Sequence, residues 1–178
     1  MSGAQAVASD AASSIEVAEL ADWTGVLAAP AAVARRAASS ALAIAQAPPE
    51  AVVSLALADD ETLRRLNRDH RAKDRPTNVL AFPDGARAGP EAGAALMLGD
   101  VVVALETATG EAARDGRTVA DHLSHLVVHG VLHLLGHDHD TDRAAEEMEA
   151  LERRALASIG IADPYGPAPD AEAEKGGA

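Results

Sequence analysis

The sequence contains no cysteine, and its only Phe, Trp and Tyr residues are one of each. The absence of cysteine excludes disulfides, thiolate metal sites and cysteine nucleophiles. So few aromatic rings cannot form the stacking platform on which many single-strand nucleic-acid binders depend. The core must therefore be built from Leu, Val, Ile and Ala.

Long hydrophobic runs are also missing. No uninterrupted apolar run approaches the roughly 18 residues that a membrane span needs. The first residues, MSGAQAVASD, carry neither the basic region nor the apolar region of a secretory signal. We therefore expect a cytoplasmic protein that does not bind membranes.

Basic side chains are in the minority, 15 against 28 acidic ones, which makes the formal net charge −13. This balance argues against broad, non-specific binding to nucleic acid, DNA included. A local basic patch can still steer a polyanion, although basic residues at a helix end often only face solvent. Six basic residues fall within positions 64–75: Arg64, Arg65, Arg68, Arg71, Lys73 and Arg75.

At 178 residues the chain fits one domain with a sizeable core. Residues 1–12 are small and polar, and residues 164–178 combine Pro, Gly and acidic residues without apolar periodicity. Both ends are therefore predicted to be disordered. The single domain is predicted over residues 13–163.

Apolar periodicity predicts alternating strands and helices within this domain. The predicted strands are 14–18, 51–58, 78–82 and 96–105, and the predicted helices are 28–47, 61–71, 106–115, 118–135 and 141–159. Gly99 interrupts the last strand, which indicates a bulge or a close approach of another backbone.

The helix predicted over 118–135 is apolar on almost every side, and this is typical of a buried, central helix. Thr118 and Asp121 stand at the spacing of a capping box. Gly136 is placed to end the helix.

Three histidines in this region predict a metal site. His129 and His133 are four residues apart, so their imidazoles project from the same face of the helix. Gly136 lets the chain turn back, so that His139 can supply a third nitrogen. Three protein ligands and one open position are typical of a catalytic zinc site. We predict one Zn²⁺ ion held by these three side chains.

We predict different roles for the other polar residues close to these three histidines. His122 and His125 share the same helical stripe and are expected in the core or behind the ligands. Asp138 is a candidate to orient a ligand or a water molecule. His137 is a competing third ligand, ranked below His139.

Three segments resemble signatures of the YbeY family, bacterial metal-dependent endoribonucleases that mature ribosomal RNA. HGVLHLLGHDH (129–139) is similar to H-G-x-L-H-L-x-G-Y-D-H, and LGDVVVA (98–104) is similar to L-G-D-I-x-I-[AS]. LNRDHRAKDRPTNVLAFP (66–83) resembles L-N-x-x-Y-R-x-K-D-x-P-T-[DN]-V-L-S-F-P. The sequence departs from these patterns at His70 and His137, where tyrosine is usual, and at Ala81, where serine is usual.

The resemblance implies an α+β fold in which a small mixed sheet packs against helices. It also implies zinc on the three histidines, a functional arginine at Arg71, and ribosomal RNA, the small ribosomal subunit and assembly factors as partners. Independently, a guanidinium presents a planar fork of donors that suits a phosphate on which charge develops. Arg71 is thus the catalytic and substrate-binding candidate. Lys73 is a further substrate-binding candidate, and Arg75 can extend the contact.

Three functions fit these observations. The preferred one is a zinc-dependent endoribonuclease that cleaves single-stranded ribosomal RNA in ribosome maturation and quality control, with either water or the RNA 2′-hydroxyl as nucleophile. The second is a metallopeptidase, because the ligand spacing matches H-E-x-x-H-x-x-G-x-x-H, although Gly130 stands where those enzymes have a glutamate base. The third is a non-catalytic ribosome assembly factor in which zinc only braces the fold.

Overall fold

The computed structural model describes residues 14–85 and 94–167. Within these ranges the chain forms the strands β1 (Ser14–Glu19), β2 (Ala51–Ala58), β3 (Val79–Pro83) and β4 (Leu96–Ala104). The helices are α1 (Pro30–Ile44), α2 (Asp60–Arg71), α3 (Leu105–Arg114), α4 (Val119–Leu134) and α5 (Asp142–Ser158), and a short 3-10 turn covers Trp23–Gly25. Every predicted strand and helix is present, with ends that agree to within a few residues.

The four strands form one mixed sheet in the order β1-β2-β4-β3. β1 and β4 each run parallel to β2, whereas β3 runs antiparallel to β4. Parallel neighbours need a crossover connection, and α1 provides it between β1 and β2. The predicted α+β fold with a small mixed sheet is confirmed.

Helices cover both faces of the sheet. Because side chains alternate along a strand, Val101 and Val103 face the larger core that includes residues of α1, α4 and α5. Val102 and Ala104 face the opposite side, where Leu63 of α2 packs. The alanines on the inner side of α1 let that helix approach closely: Ala34, Ala37, Ala38 and Ala41 are all fully buried.

α4 is the central helix that its apolar sequence predicted. It contacts α1, α3, α5, β3 and β4. Its histidines are thereby held on a helix that is packed on several sides, which restricts how far their backbones can move.

Gly99 marks a close backbone approach between β4 and β3. Its φ is +129°, and a Cβ placed on it would lie 2.1 Å from the carbonyl oxygen of Phe82. A register shift between Val52 and Val53 of the neighbouring strand lies at the same level. The predicted irregularity at Gly99 is therefore confirmed.

Most residues of the two predicted disordered ends lie outside the described ranges, but a few at the second end are described. Residues 1–12 and 168–178 lie outside the described residues, and the domain limits stay a prediction. The segment 164–167 is described and packs against the domain, because Arg117 donates hydrogen bonds to the carbonyl oxygens of Pro164 (2.9 Å) and Gly166 (3.1 Å). No helix in the described ranges is both long and apolar enough to cross a membrane.

Candidate metal centre

The ends of α4 are set by the two signals noted in the sequence. The hydroxyl oxygen of Thr118 accepts a hydrogen bond from the backbone N–H of Asp121 (3.0 Å), which caps the first turn. Gly136 adopts a φ of +90°, a conformation that favours glycine, and its N–H donates to the carbonyl of His133. The chain therefore turns back directly after the helix and carries His139 towards it.

His129, His133 and His139 come together in space. Each offers one ring nitrogen, and these nitrogens all lie within 4.8 Å of one another. Nε2 of His129 and Nε2 of His133 lie 3.1 Å apart. His139 is exposed and the other two are half-buried, so the cluster is open on one side. Three imidazole nitrogens in this arrangement can bind a divalent cation and leave a position for a further ligand.

The surroundings of His133 favour the neutral form of its ring. Burial lowers the pKa of His133, and the neighbouring His129 and His139 lower it further, because a second positive charge nearby is unfavourable. A neutral ring is the form that coordinates a cation, so the surroundings of His133 favour metal binding at neutral pH.

Glu152 is a functional candidate that the sequence interpretation missed. It lies on α5, its side chain is only 1% exposed, and its carboxylate accepts hydrogen bonds from Nδ1 of His129 (2.8 Å) and Nε2 of His125 (3.0 Å). The hydroxyl of Tyr165 donates to the same carboxylate. Burial by itself raises the pKa of Glu152, but these three hydrogen bonds outweigh it and bring the pKa to about 2. A charged carboxylate therefore lies directly behind a candidate metal ligand.

A signal for Glu152 was present in the helical register. α5 contains several acidic residues, but Glu152 stands four residues from both Met148 and Leu156, which are buried. Residues four apart share one helix face, so this glutamate belongs to the inner face. Tyr165 carried no such signal, because it lies beyond the last helix. Burial and the carboxylate of Glu152 both raise the pKa of the Tyr165 hydroxyl.

The remaining polar residues agree in part with their predicted roles. His125 contacts Glu152, the partner of His129, and so lies behind the ligand cluster. His122 is buried and lies 2.8 Å from a carboxylate oxygen of Glu111. Neither His137 nor Asp138 belongs to the three-residue cluster. Asp138 instead accepts a hydrogen bond from the backbone N–H of Asp140 (3.2 Å) within the turn.

A cleft of about 490 Å³ opens over the three histidines. The cleft is also lined by Arg71, the last residue of α2, together with Asn78, Val79 and Ala81 from the region of β3. The structure thus brings Arg71 and the histidine cluster to one cavity. Lys73 is exposed on the loop after α2 and does not line this cleft.

Asn67 holds the loop that follows Arg71. Its side chain is buried, with a relative exposure of 3%, and its amide donates a hydrogen bond to the carbonyl of Arg75 (2.8 Å). The backbone carbonyl of Asn67 accepts a second hydrogen bond, from the backbone N–H of Lys73 (3.2 Å). The direction in which the chain leaves α2 is therefore fixed by a buried polar side chain.

Carboxylates neutralise part of the basic stretch. Arg64 pairs with Asp74 at 2.7 Å, and Arg68 pairs with Asp69 at 3.2 Å. The field that this stretch presents to a polyanion is accordingly weaker than its six positive charges suggest.

Gly130, which follows the first histidine, is packed against the sheet. A Cβ built on it would lie 2.5 Å from Cγ1 of Val101 on β4. A glutamate at this position would meet β4 rather than reach the cation, so the general base of H-E-x-x-H peptidases has no room here.

The comparison with known proteins agrees with this geometry. The sequence model of the family described as Endoribonuclease YbeY matches residues 26–160. The chain belongs to the YbeY family. The resemblance seen in the three sequence segments is confirmed, and the predicted enzyme class is that of the family.

Two relatives illustrate the similarity, and both are named Endoribonuclease YbeY. The protein from Paramagnetospirillum magneticum is 59% identical over 122 residues, covering 66% of this chain and 74% of its own length. The protein from Parvibaculum lavamentivorans is 53% identical over 138 residues, covering 74% of this chain and 75% of its own length. The solution structure of TM1509 from Thermotoga maritima covers 85% of this chain and 99% of its own, with 20% identity and a TM-score of 0.48, a likeness too distant to add to the sequence match.

Proposed function

We propose that the protein is a zinc-dependent endoribonuclease that cleaves single-stranded ribosomal RNA during ribosome maturation and quality control. The observation that carries this proposal is the shared cleft, which is lined by Arg71 and by the cluster of His129, His133 and His139. An arginine fork opposite a cation site suits a phosphodiester, whose transition state carries negative charge on the non-bridging oxygens. The relatives named Endoribonuclease YbeY support the same reaction class.

The three histidines would hold one Zn²⁺ ion. All three ligands are nitrogens, which is the donor type that zinc accepts readily, and the exposed side of the cluster leaves space for substrate. When bound, the ion supplies Lewis-acid stabilisation of charge that develops on a phosphoryl oxygen.

Arg71 would bind the phosphate and stabilise its charge. The side chain projects from the end of α2, where the helix dipole also favours a positive group. Lys73, on the exposed loop two residues later, would contact the RNA backbone next to the cleft rather than inside it.

Partners at the ribosome would direct the enzyme to its substrate. The net charge of −13 and the ion pairs of Arg64 and Arg68 limit the attraction between the free protein and RNA. We therefore expect weak intrinsic binding to RNA, activity in the cytoplasm, and recruitment by the small subunit or its assembly factors.

The proposal is tested by metal content and cleavage measured together. We expect purified wild type to contain about one zinc per chain and to cleave single-stranded RNA in a chelator-sensitive manner, while leaving casein intact. His133→Ala should lose both the metal and the cleavage. Chelator-sensitive cleavage of casein with intact RNA would instead support the metallopeptidase.

A cellular test separates the enzyme from a non-catalytic assembly factor. Arg71→Glu reverses the charge opposite the metal site without touching a ligand, so the metal content should remain that of wild type. RNA processing should fail if the cleft is catalytic. Normal processing with this variant would refute the enzymatic role and leave the assembly function.

A further inference from the structure

Glu152 connects the candidate metal site with the end of the chain. One carboxylate oxygen, Oε1, accepts from His129, and the other, Oε2, accepts from both His125 and the hydroxyl of Tyr165. The carboxylate is almost fully buried, and three donors converge on it, two from α4 and one from the segment after α5. A buried charge that is satisfied so completely holds its position, since any displacement would leave polar groups unpaired.

This arrangement determines which nitrogen of His129 carries the proton. An ionised carboxylate only accepts hydrogen bonds, so Nδ1 of His129 must be the donor. The proton on Nδ1 leaves the lone pair on Nε2. Nε2 is the atom that lies 3.1 Å from Nε2 of His133, within the ligand cluster.

We propose that Glu152 is a positioning residue of the metal site, and that Tyr165 holds it in place. Glu152 fixes both the tautomer and the orientation of His129, so that Nε2 faces the cation. Carboxylates behind ligating histidines generally tighten metal binding in this way. The inference rests on the metal site of the proposed function and adds the role of two residues outside the ligand set.

The segment after α5 becomes part of the site through Tyr165. Arg117 anchors this segment by its hydrogen bonds to Pro164 and Gly166, and the guanidinium of Arg153 lies 4.9 Å from the centre of the Tyr165 ring. The hydroxyl is thereby directed towards Glu152 rather than towards solvent. A chain end that was predicted to be a tail thus supports the metal ligand from behind.

Zinc affinity provides the principal test. Full-length, metal-free wild type, Glu152→Gln and Glu149→Gln would be titrated with Zn²⁺ in competition with a chromophoric chelator. Glu149 stands nearly one turn away on the same helix and pairs with Arg153, so its substitution removes the same charge without removing the hydrogen bond to His129. We expect Glu152→Gln to bind zinc about 10- to 100-fold more weakly, and Glu149→Gln to bind nearly as wild type does.

The tautomer of His129 provides a readout that a merely structural role would not change. In long-range ¹H–¹⁵N spectra of the metal-free protein, we expect His129 to be protonated on Nδ1 in wild type. The Nδ1-protonated fraction should fall in Glu152→Gln, because its amide can either donate to the ring or accept from it. Tyr165→Phe keeps the ring but removes the hydroxyl, and it should weaken zinc binding by less than Glu152→Gln does.

The possible outcomes are distinct. Wild-type zinc affinity and an unchanged His129 tautomer in a folded Glu152→Gln protein would overturn the positioning role alone. Equal losses of zinc affinity in Glu152→Gln and Glu149→Gln would also overturn the positioning role, because the lost charge and not the lost hydrogen bond would then explain the weaker binding. Failure of wild type to bind zinc would refute the metal site itself, and with it the proposed function. If Glu152→Gln does not fold, wild-type zinc affinity in Tyr165→Phe overturns the role assigned to Tyr165.

Discussion

Gly130 and Val101 meet where α4 crosses β4. The absent side chain at Gly130 lets the helix lie directly on the strand, and this contact places His129 and His133 above the sheet. The same glycine excludes a glutamate base next to the first histidine. One residue therefore affects both packing and the range of reactions open to the site.

Gly130→Ala should lower the free energy of unfolding by about 1–3 kcal/mol, because the new methyl group overlaps Val101. Chemical denaturation would measure the loss. The double variant Gly130→Ala/Val101→Ala should lose less than the sum of the two single variants, since the smaller residue removes the overlap. Strict additivity would contradict this explanation.

Arg71 supplies a fork of donors as well as a charge. Arg71→Ala should lower kcat for RNA cleavage by about 10²- to 10³-fold. The kcat of Arg71→Lys should lie between those of Arg71→Ala and wild type, because lysine keeps the charge but not the fork of donors. Steady-state kinetics would measure the change, with zinc content unaffected. Arg154→Ala, an exposed residue of α5, is the matched control and should leave kcat unchanged. Wild-type kcat in Arg71→Ala would remove Arg71 from the mechanism.

α2 begins after its cap residue, Asp59, and ends at Arg71, the proposed phosphate-binding residue. The carboxylate of Asp59 accepts a hydrogen bond from the N–H of Thr62 (2.8 Å), and Leu63 packs into the smaller core. At the other end, Ala72 adopts a φ of +53° and the chain leaves towards the loop held by Asn67. The position of Arg71 therefore depends on the integrity of the whole helix.

Asp59→Ala should cost about 0.5–2 kcal/mol of stability at neutral pH, because the first turn of α2 loses its cap. Asp59→Ser should retain most of the stability that Asp59→Ala loses, because serine can also cap the helix. The hydrogen bonds from Thr62 lower the pKa of Asp59 below its ordinary 3.8, so the folded state favours the charged form. This contribution is present above the ordinary pKa and is lost as the pH falls through the lower folded-state value. A cap effect that grows on acidification would contradict the assignment.

At the scale of the whole molecule, the candidate metal site joins parts of the chain that are far apart in sequence. Its candidate ligands come from α4 and the following turn, and the buried Glu152 behind them comes from α5. Residues of α2 and β3 line the same cleft. A cation bound there would connect the turn that carries His139 to the central helix. Metal binding should therefore stabilise the folded domain as a unit.

Zinc should raise the unfolding temperature of the metal-free protein, since a ligand that binds only the native state stabilises it by mass action. At a free concentration 100 times the Kd the gain should be about 2.7 kcal/mol. Thermal unfolding at increasing Zn²⁺ would measure it, with His133→Ala as the variant that should not respond. An unfolding temperature of wild type that is insensitive to zinc would argue against a native-state site.

The sequence alone determined the features that depend on neighbouring residues. The periodicity of α4, its cap at Thr118, the turn at Gly136 and the spacing of the histidines are local, and the structure reproduces them. The motif resemblance also identified the family, because its specific residues lie within short continuous segments. Local geometry is sufficient in these cases, since helix periodicity determines which side chains share a face.

Only the tertiary structure decided which distant residues meet. The order of the strands, the approach of Arg71 to the histidines, and the contacts of Glu152 with His129 and Tyr165 all join separate elements. Such contacts depend on how helices pack on both faces of the sheet, and no spacing in the sequence encodes them directly. The sequence therefore predicted the candidate ligands. Packing determined that Glu152 lies behind them and that Arg71 lines the same cleft.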